Sequence, residues 1–157
     1  MSEKALQDQY GPDGICFGCG PSNPKGLQIK TFVEGDTYIV KFHPKEEHQA
    51  FKGVINGGII GAVFDCHCNW AAAHAIYQKN PVKDFPSTVT AEYKVKLKKP
   101  TPFNTELLFK AKVVNIDGSK ATVEAELLAG EKVTALCTGV FIAVEPGHPG
   151  YHRWGPE

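Results

Sequence analysis

The stretch Asn56-Gly57-Gly58-Ile59-Ile60-Gly61-Ala62-Val63-Phe64-Asp65 constrains this chain more than any other. A glycine pair opens a long apolar segment that carries a single carboxylate two turns further in, and Asn80-Pro81 closes it. Start and stop signals of this kind predict one helix over 57–78, too apolar to lie open on a surface. Strand patterns supply its cover. Alternating apolar stretches over 27–33 and 38–42 flank Glu34-Gly35-Asp36, a turn that makes them a hairpin. Four more strands are read over 89–97, 106–114, 121–128 and 133–144, with hairpin turns at Asp117-Gly118 and Ala129-Gly130 and a break at Pro102 and Asn104. Two strands, one long helix and four strands predict an α+β chain in which an antiparallel β-sheet wraps around one central α-helix.

The helix also carries chemistry. The backbone N–H groups at its start have no intrahelical partner and lie at the positive end of the macrodipole, where they can stabilise a developing oxyanion. Asp65 is a candidate general base, because an unpaired carboxylate on an apolar helix is costly and seldom inert. It lies about 10 Å along the axis from Gly58, at roughly 1.5 Å per residue, so one helix cannot bring both groups to one atom. Two antiparallel copies related by a twofold axis would set Gly58 of one subunit opposite Asp65 of the other. Gly58, Gly61, Ala62, Asp65, Asn69 and Ala72 form a small or polar stripe that another helix can approach, with Ile60, Val63, His67, Trp70 and His74 opposite. The expectation is a homodimer, or a dimer of dimers, with its site at the interface.

A chain of 157 residues is long enough for one domain with a working core. The reading is a single domain over 1–157, with a Gly- and Pro-rich segment over 1–24 and an extended tail over 145–157 anchored by Trp154. The formal net charge of +0 gives no pointer to nucleic acid. No apolar run is long enough to cross a membrane, and Met1-Ser2-Glu3-Lys4 lacks the apolar core of a signal peptide, so the expected location is cytoplasmic, with no membrane partner. Five cysteines, odd in number and unevenly placed, read as thiols or ligands and not as a disulfide framework. Cys16-Phe17-Gly18-Cys19-Gly20 is a tight knuckle. Its cysteine pair would make a tetrahedral zinc site with either His67 and Cys68 or His148 and His152; the alternative is a purely structural knuckle. His67 points about 160° away from Asp65 on an ideal helix, which reads as a buried, hydrogen-bonded core histidine.

The order of elements, with the glycine pair and an acid nine residues after the residue preceding it, resembles the hotdog-fold acyl-CoA thioesterases of the PaaI-like branch. In that family a His-Gly-Gly triplet starts the central helix; here Asn56 takes the His position, Gly57 and Gly58 match the glycines, and Asp65 matches the acid. The Cys16–Gly20 knuckle followed by Asn23-Pro24-Lys25-Gly26-Leu27 resembles an N-terminal signature of one subset of the branch. The resemblance implies a hotdog fold and hydrolysis of an acyl-CoA thioester, with no cofactor required. It implies that Gly58 and Gly57 donate backbone N–H groups to the thioester carbonyl. Asp65 of the facing subunit would activate water as general base, or attack as nucleophile. Asn56 would be an uncharged donor beside the thioester. Thr90 falls where members often carry a water-orienting hydroxyl, and is equally readable as a β-branched strand residue. The acyl pocket would be apolar and lined from the helix and the loop around Phe51. A non-catalytic acyl- or small-ligand-binding protein on the same scaffold is the alternative. Hydratase chemistry ranks last, because no histidine shares the Asp65 stripe.

Overall fold

The computed structural model describes residues 3–81 and 84–154. A short helix α1 (Leu6–Tyr10) precedes strands β1 (Phe32–Glu34) and β2 (Thr37–Phe42). A 3-10 turn at Glu46–His48 leads into a two-stranded ribbon, β3 (Gln49–Phe51) and β4 (Val54–Ile55). The central helix α2 (Gly57–Lys79) follows, and then β5 (Thr88–Leu97), β6 (Leu107–Asp117), β7 (Lys120–Ala129) and β8 (Lys132–Ala143). Six strands form one antiparallel sheet in the order β1-β2-β6-β7-β8-β5. The sheet curls around α2, whose Val63, Phe64, Trp70 and Ala71 are buried against Val40, Leu107, Phe109, Leu127 and Phe141 in one continuous core. Phe64 meets Phe109 edge-on, ring centroids 5.0 Å apart, a favoured aromatic geometry. The expected antiparallel sheet around one helix is therefore what the chain forms.

Differences lie at the N-terminal end. The apolar alternation over 27–33 becomes strand only at Phe32. Leu27 N donates to Phe17 O at 2.7 Å, Ile29 N to Gly18 O at 3.1 Å, and Thr31 O accepts from Leu6 N at 2.9 Å. Gln28 sits at φ +48°, which breaks a ladder. The backbone groups expected to pair with β2 are thus spent on the cysteine knuckle and on α1, and burying alternate side chains there looks the same in sequence as a strand. Helix α1 and the β3–β4 ribbon were not expected from the sequence. Residues 145–154 fold back in turns instead of extending, with Tyr151 N donating to His148 O at 3.0 Å. Trp154 is buried, its Nε1–H on Pro86 O at 2.8 Å and its ring 4.1 Å from that of Trp70. The outermost residues assigned to the two terminal segments, 1–2 and 155–157, lie outside the described residues.

Two features position the site. Among the described residues strand β5 pairs only with β8 and is therefore an edge. It also runs antiparallel to α2, with Leu97 over Gly57, Tyr93 over Gly61, Thr90 on Asp65 and Thr88 on Asn69. A bulge between Thr90 and Glu92 shifts the β5–β8 register beside Asp65, the kind of irregularity that re-aims a side chain.

Candidate active site

Helix α2 starts at an N-cap. The Asn56 side chain accepts from Gly58 N at 2.7 Å and Ile59 N at 3.2 Å, while its carbonyl takes Ile59 N and Ile60 N at 3.1 and 3.2 Å. Two of the helix's orphan donors are thereby satisfied. The Gly58 amide, expected to be the outward donor, is spent on this cap. Gly57 N has no hydrogen-bond partner among the described residues and is the backbone donor that stays available, together with the carboxamide NH2 of Asn56. A Cβ on Gly57 would stand 3.1 Å from Leu97 Cδ1, and one on Gly58 would stand 2.9 Å from Asn56 Oδ1, so both glycines keep the helix start accessible. The donors open on a cleft lined by Phe51, Val54, Ile60, Leu97 and Lys99. Phe51 and Leu97 are exposed there, so the cleft wall is apolar and reachable.

Asp65 lies two turns along. Thr90 Oγ1 donates to Asp65 Oδ1 at 2.6 Å, a short charge-assisted bond. Burial lifts the Asp65 carboxyl above the ordinary range. The Thr90 hydrogen bond and the positive charge of Arg153 pull it back, and Cys16 adds to the lift. Arg153 is held by its guanidinium on Thr88 O at 3.0 Å and by stacking 4.4 Å over the Trp154 ring. The sequence reading missed Arg153. Its signal was its position next to the tail's aromatic anchor.

Other sequence candidates are placed elsewhere. His67 is fully buried: Nε2–H donates to Tyr38 O and Nδ1 accepts from Thr31 Oγ1, both at 3.0 Å, and Gln7 Nε2 donates in turn to Thr31 Oγ1 at 2.9 Å. Burial pulls its pKa down to about 4, so it is a neutral core histidine. With both ring nitrogens engaged, it cannot complete a metal site with the knuckle. Cys68 cannot either, because it is buried beside Cys137 and donates its thiol proton there. His148 and His152 are exposed. The first accepts from Gly150 N at 2.9 Å, and the second is held by its backbone N on Ser87 Oγ at 3.2 Å. The sulfur that meets Cys16 and Cys19 is Cys66. The small-residue stripe is not free for a second helix. Gly61 lies under the Tyr93 ring, the knuckle covers Ala62, and Asn69 is bonded through Nδ2 to Thr88 O at 3.2 Å.

No family model matches this chain, and no curated protein matches it. Solved structures do. A thioesterase superfamily protein from Shewanella loihica PV-4 is 27% identical, covering 80% of this chain and 98% of its own, with a TM-score of 0.65. The phenylacetic acid degradation protein PaaI from Thermus thermophilus, as a mutant, is 20% identical over 75% of this chain and 95% of its own, TM-score 0.61. A thioesterase from Haemophilus influenzae is 14% identical over 78% and 84%, TM-score 0.66.

Proposed function

From the premise of a hotdog-fold chain similar to thioesterase superfamily structures, we propose that this protein hydrolyses an acyl-CoA thioester at a site shared by two subunits. The observation that carries the reading is the Thr90–Asp65 pair, a half-buried carboxylate held by a hydroxyl at 2.6 Å, on a helix whose start presents an unsatisfied N–H. Thr90 occupies Oδ1 and leaves Oδ2 for a water. That water adds to the thioester carbonyl carbon while Asp65 takes its proton. The carbonyl oxygen becomes an oxyanion held by Gly57 N–H and the Asn56 carboxamide, with the dipole of α2 behind them. Collapse breaks the C–S bond, and the departing thiolate takes the proton from Asp65. Gly58 contributes by having no side chain and by fixing Asn56 through its amide.

Within one chain the donors and the base lie about 12 Å apart at roughly 1.5 Å per residue. Edge strand β5 supplies the remedy. Its outer side is unpaired, and Tyr93 and Leu97 are 43% and 56% exposed on it. A second copy pairing β5 against β5, antiparallel and centred near Tyr93 and Lys94, lays the Leu97 end of one strand beside the Thr90 end of the other. Because Leu97 covers Gly57 and Thr90 holds Asp65, Gly57 of the partner subunit then faces Asp65. The pairing also closes an exposed edge.

The engaged Gly58 amide favours one other reading, a non-catalytic acyl-binding protein with a single free backbone donor. Hydrolysis of short, medium, long and aryl acyl-CoAs, followed by free thiol release, separates the two. Asp65→Asn, which keeps the acceptor for Thr90, must abolish turnover and leave substrate binding intact. Turnover that survives in this variant, or no turnover on any substrate, would refute the hydrolase.

A further inference from the structure

Outside the site, five cysteines sort into two groups. Cys68 and Cys137 pair on one side of α2. On the other side the sulfurs of Cys16, Cys19 and Cys66 all lie within 4.8 Å of one another, with Cys16 and Cys66 at 3.6 Å. Two thiolates on one tetrahedral zinc, at Zn–S of about 2.3 Å, stand about 3.8 Å apart, so this spacing is what a shared ion requires. Three converging thiols exceed what a disulfide can use.

The surroundings favour thiolates. The knuckle turns tightly, Gly20 N donating to Cys16 O at 2.8 Å. The backbone N–H groups of Gly18 and Cys19 donate to the Cys16 sulfur, the outer hydrogen bonding that supports a metal-bound sulfur. The buried Trp70 Nε1–H has no hydrogen-bond partner among the described residues and lies beside the Cys19 sulfur. An orphaned buried donor facing a neutral thiol is costly, and facing a metal-bound thiolate it is a charge-assisted bond. The glycines complete the argument. A Cβ on Gly18 would fall 2.3 Å from Cys66 Sγ, so the knuckle backbone is pressed onto that sulfur, and one on Gly20 would fall 2.4 Å from Cys16 N, so the turn itself has no room for a side chain.

We propose that Cys16, Cys19 and Cys66 bind one zinc ion as three thiolates, pinning the N-terminal knuckle to the central helix next to Asp65. Binding releases the thiol protons to solvent. Cys16 is the half-exposed member, so the fourth position opens on its side to a water. The ion ties together segments fifty residues apart in sequence, which gives the Gly- and Pro-rich N-terminus a fixed seat. Three soft thiolates suit zinc over magnesium or calcium.

The test uses the full-length chain, purified under reducing conditions without chelator. Elemental analysis is expected to give one equivalent of zinc per chain. Cobalt(II) added to metal-free protein should produce thiolate-to-metal charge transfer and tetrahedral ligand-field bands that zinc then abolishes. Cys16→Ser and Cys66→Ser should lose the metal and the bands, and Cys137→Ser, outside the cluster, should keep both. Should the serine variants fail to fold, alkylation of the wild-type protein decides: zinc must slow modification of Cys16. Absence of metal and of cobalt bands, bands that persist in both serine variants, unchanged alkylation, or a Cys16–Cys66 disulfide as the resting state in reducing buffer would each overturn the site.

Discussion

Asn56→Asp is expected to move stability and catalysis in opposite directions. The Asn56 side-chain oxygen accepts from Gly58 N and Ile59 N at 2.7 and 3.2 Å, and a carboxylate oxygen accepts both equally well. The added negative charge at the start of a long helix contributes about 0.3–1 kcal/mol, a rise in Tm of about 1–4 °C for a chain of this size. Catalysis loses the carboxamide N–H and gains a charge beside the developing oxyanion. Removing one such donor costs about 2.7–4 kcal/mol, a loss of about 10²–10³ in kcat. Asn56→Ala is the companion variant, losing the cap as well as the amide, with a stability cost of about 1 kcal/mol. Thermal melts and steady-state thiol release on one acyl-CoA read both quantities. A variant set in which Asn56→Ala melts lower but both proteins keep wild-type kcat would mean that Asn56 only caps the helix, and would refute the placing of the oxyanion there.

The remaining expectations can be checked on the same preparations. Thr90→Val removes a charge-assisted bond worth about 1.5–3 kcal/mol and should lower kcat by about 10–100-fold with KM little changed, Thr90→Ser restoring it; a rise in KM alone would count against its positioning of the Asp65 carboxylate. Gly139→Ala places a Cβ 2.6 Å from the Phe141 ring in the core and should cost about 1–3 kcal/mol by overpacking, read as a lower urea midpoint. Acid should weaken the fold through its neutral histidines: burial holds His48, His67 and His74 below the usual range. The unfolded chain therefore binds more protons as pH falls past about 6.5, and stability complete above that pH declines toward pH 4. A urea midpoint flat from pH 7 to 5 would contradict it. Leu97→Lys on the β5 edge should shift the protein toward monomer in sedimentation and abolish turnover with it, whereas an active monomer would end the shared-site reading.

Where local chemistry and tertiary packing made the same demand, the sequence was readable. Asn56 before two glycines and Asn80-Pro81 bound a helix wherever it packs, and Asp117-Gly118 and Ala129-Gly130 turn hairpins whatever the sheet order. Leu27, Ile29 and Thr31 bury alternate side chains, as a strand does, yet their backbone is taken by the knuckle and by α1, a long-range competition that periodicity does not encode. Within the site the helix start was half legible. The glycine pair drew attention to free amides, but Asn is among the strongest N-caps, and that preference alone signals that the Gly58 amide is taken and the Gly57 amide is not. Cys66 was overlooked for another reason. Cys66 and Cys68 are two residues apart on one helix and so face opposite sides, and only the seating of the knuckle decides which of them it meets.

In the proposed dimer, strand β5 accounts for the candidate donors and base lying two turns apart on α2 in one chain. Its contacts with α2 descend in step, from Leu97 over Gly57, through Tyr93 over Gly61, to Thr90 on Asp65, so the strand is a ruler laid along the helix. Antiparallel pairing of two such rulers reverses one against the other, and whatever each carries at its Leu97 end arrives at the other's Thr90 end. In the proposed dimer, the separation of about 12 Å within one chain would be the offset that brings the partner subunit's free amide to this chain's carboxylate, twice per dimer by symmetry. Gly61, on the small-residue stripe read from sequence as a helix–helix contact, is covered instead by Tyr93 of the same chain. A Cβ on Gly61 would meet Tyr93 in ordinary contact at 3.7 Å, whereas one on Gly57 would stand 3.1 Å from Leu97 Cδ1, so Gly57 is where a larger residue would displace the side chain that the proposed strand pairing sets beside the Thr90 end of its copy.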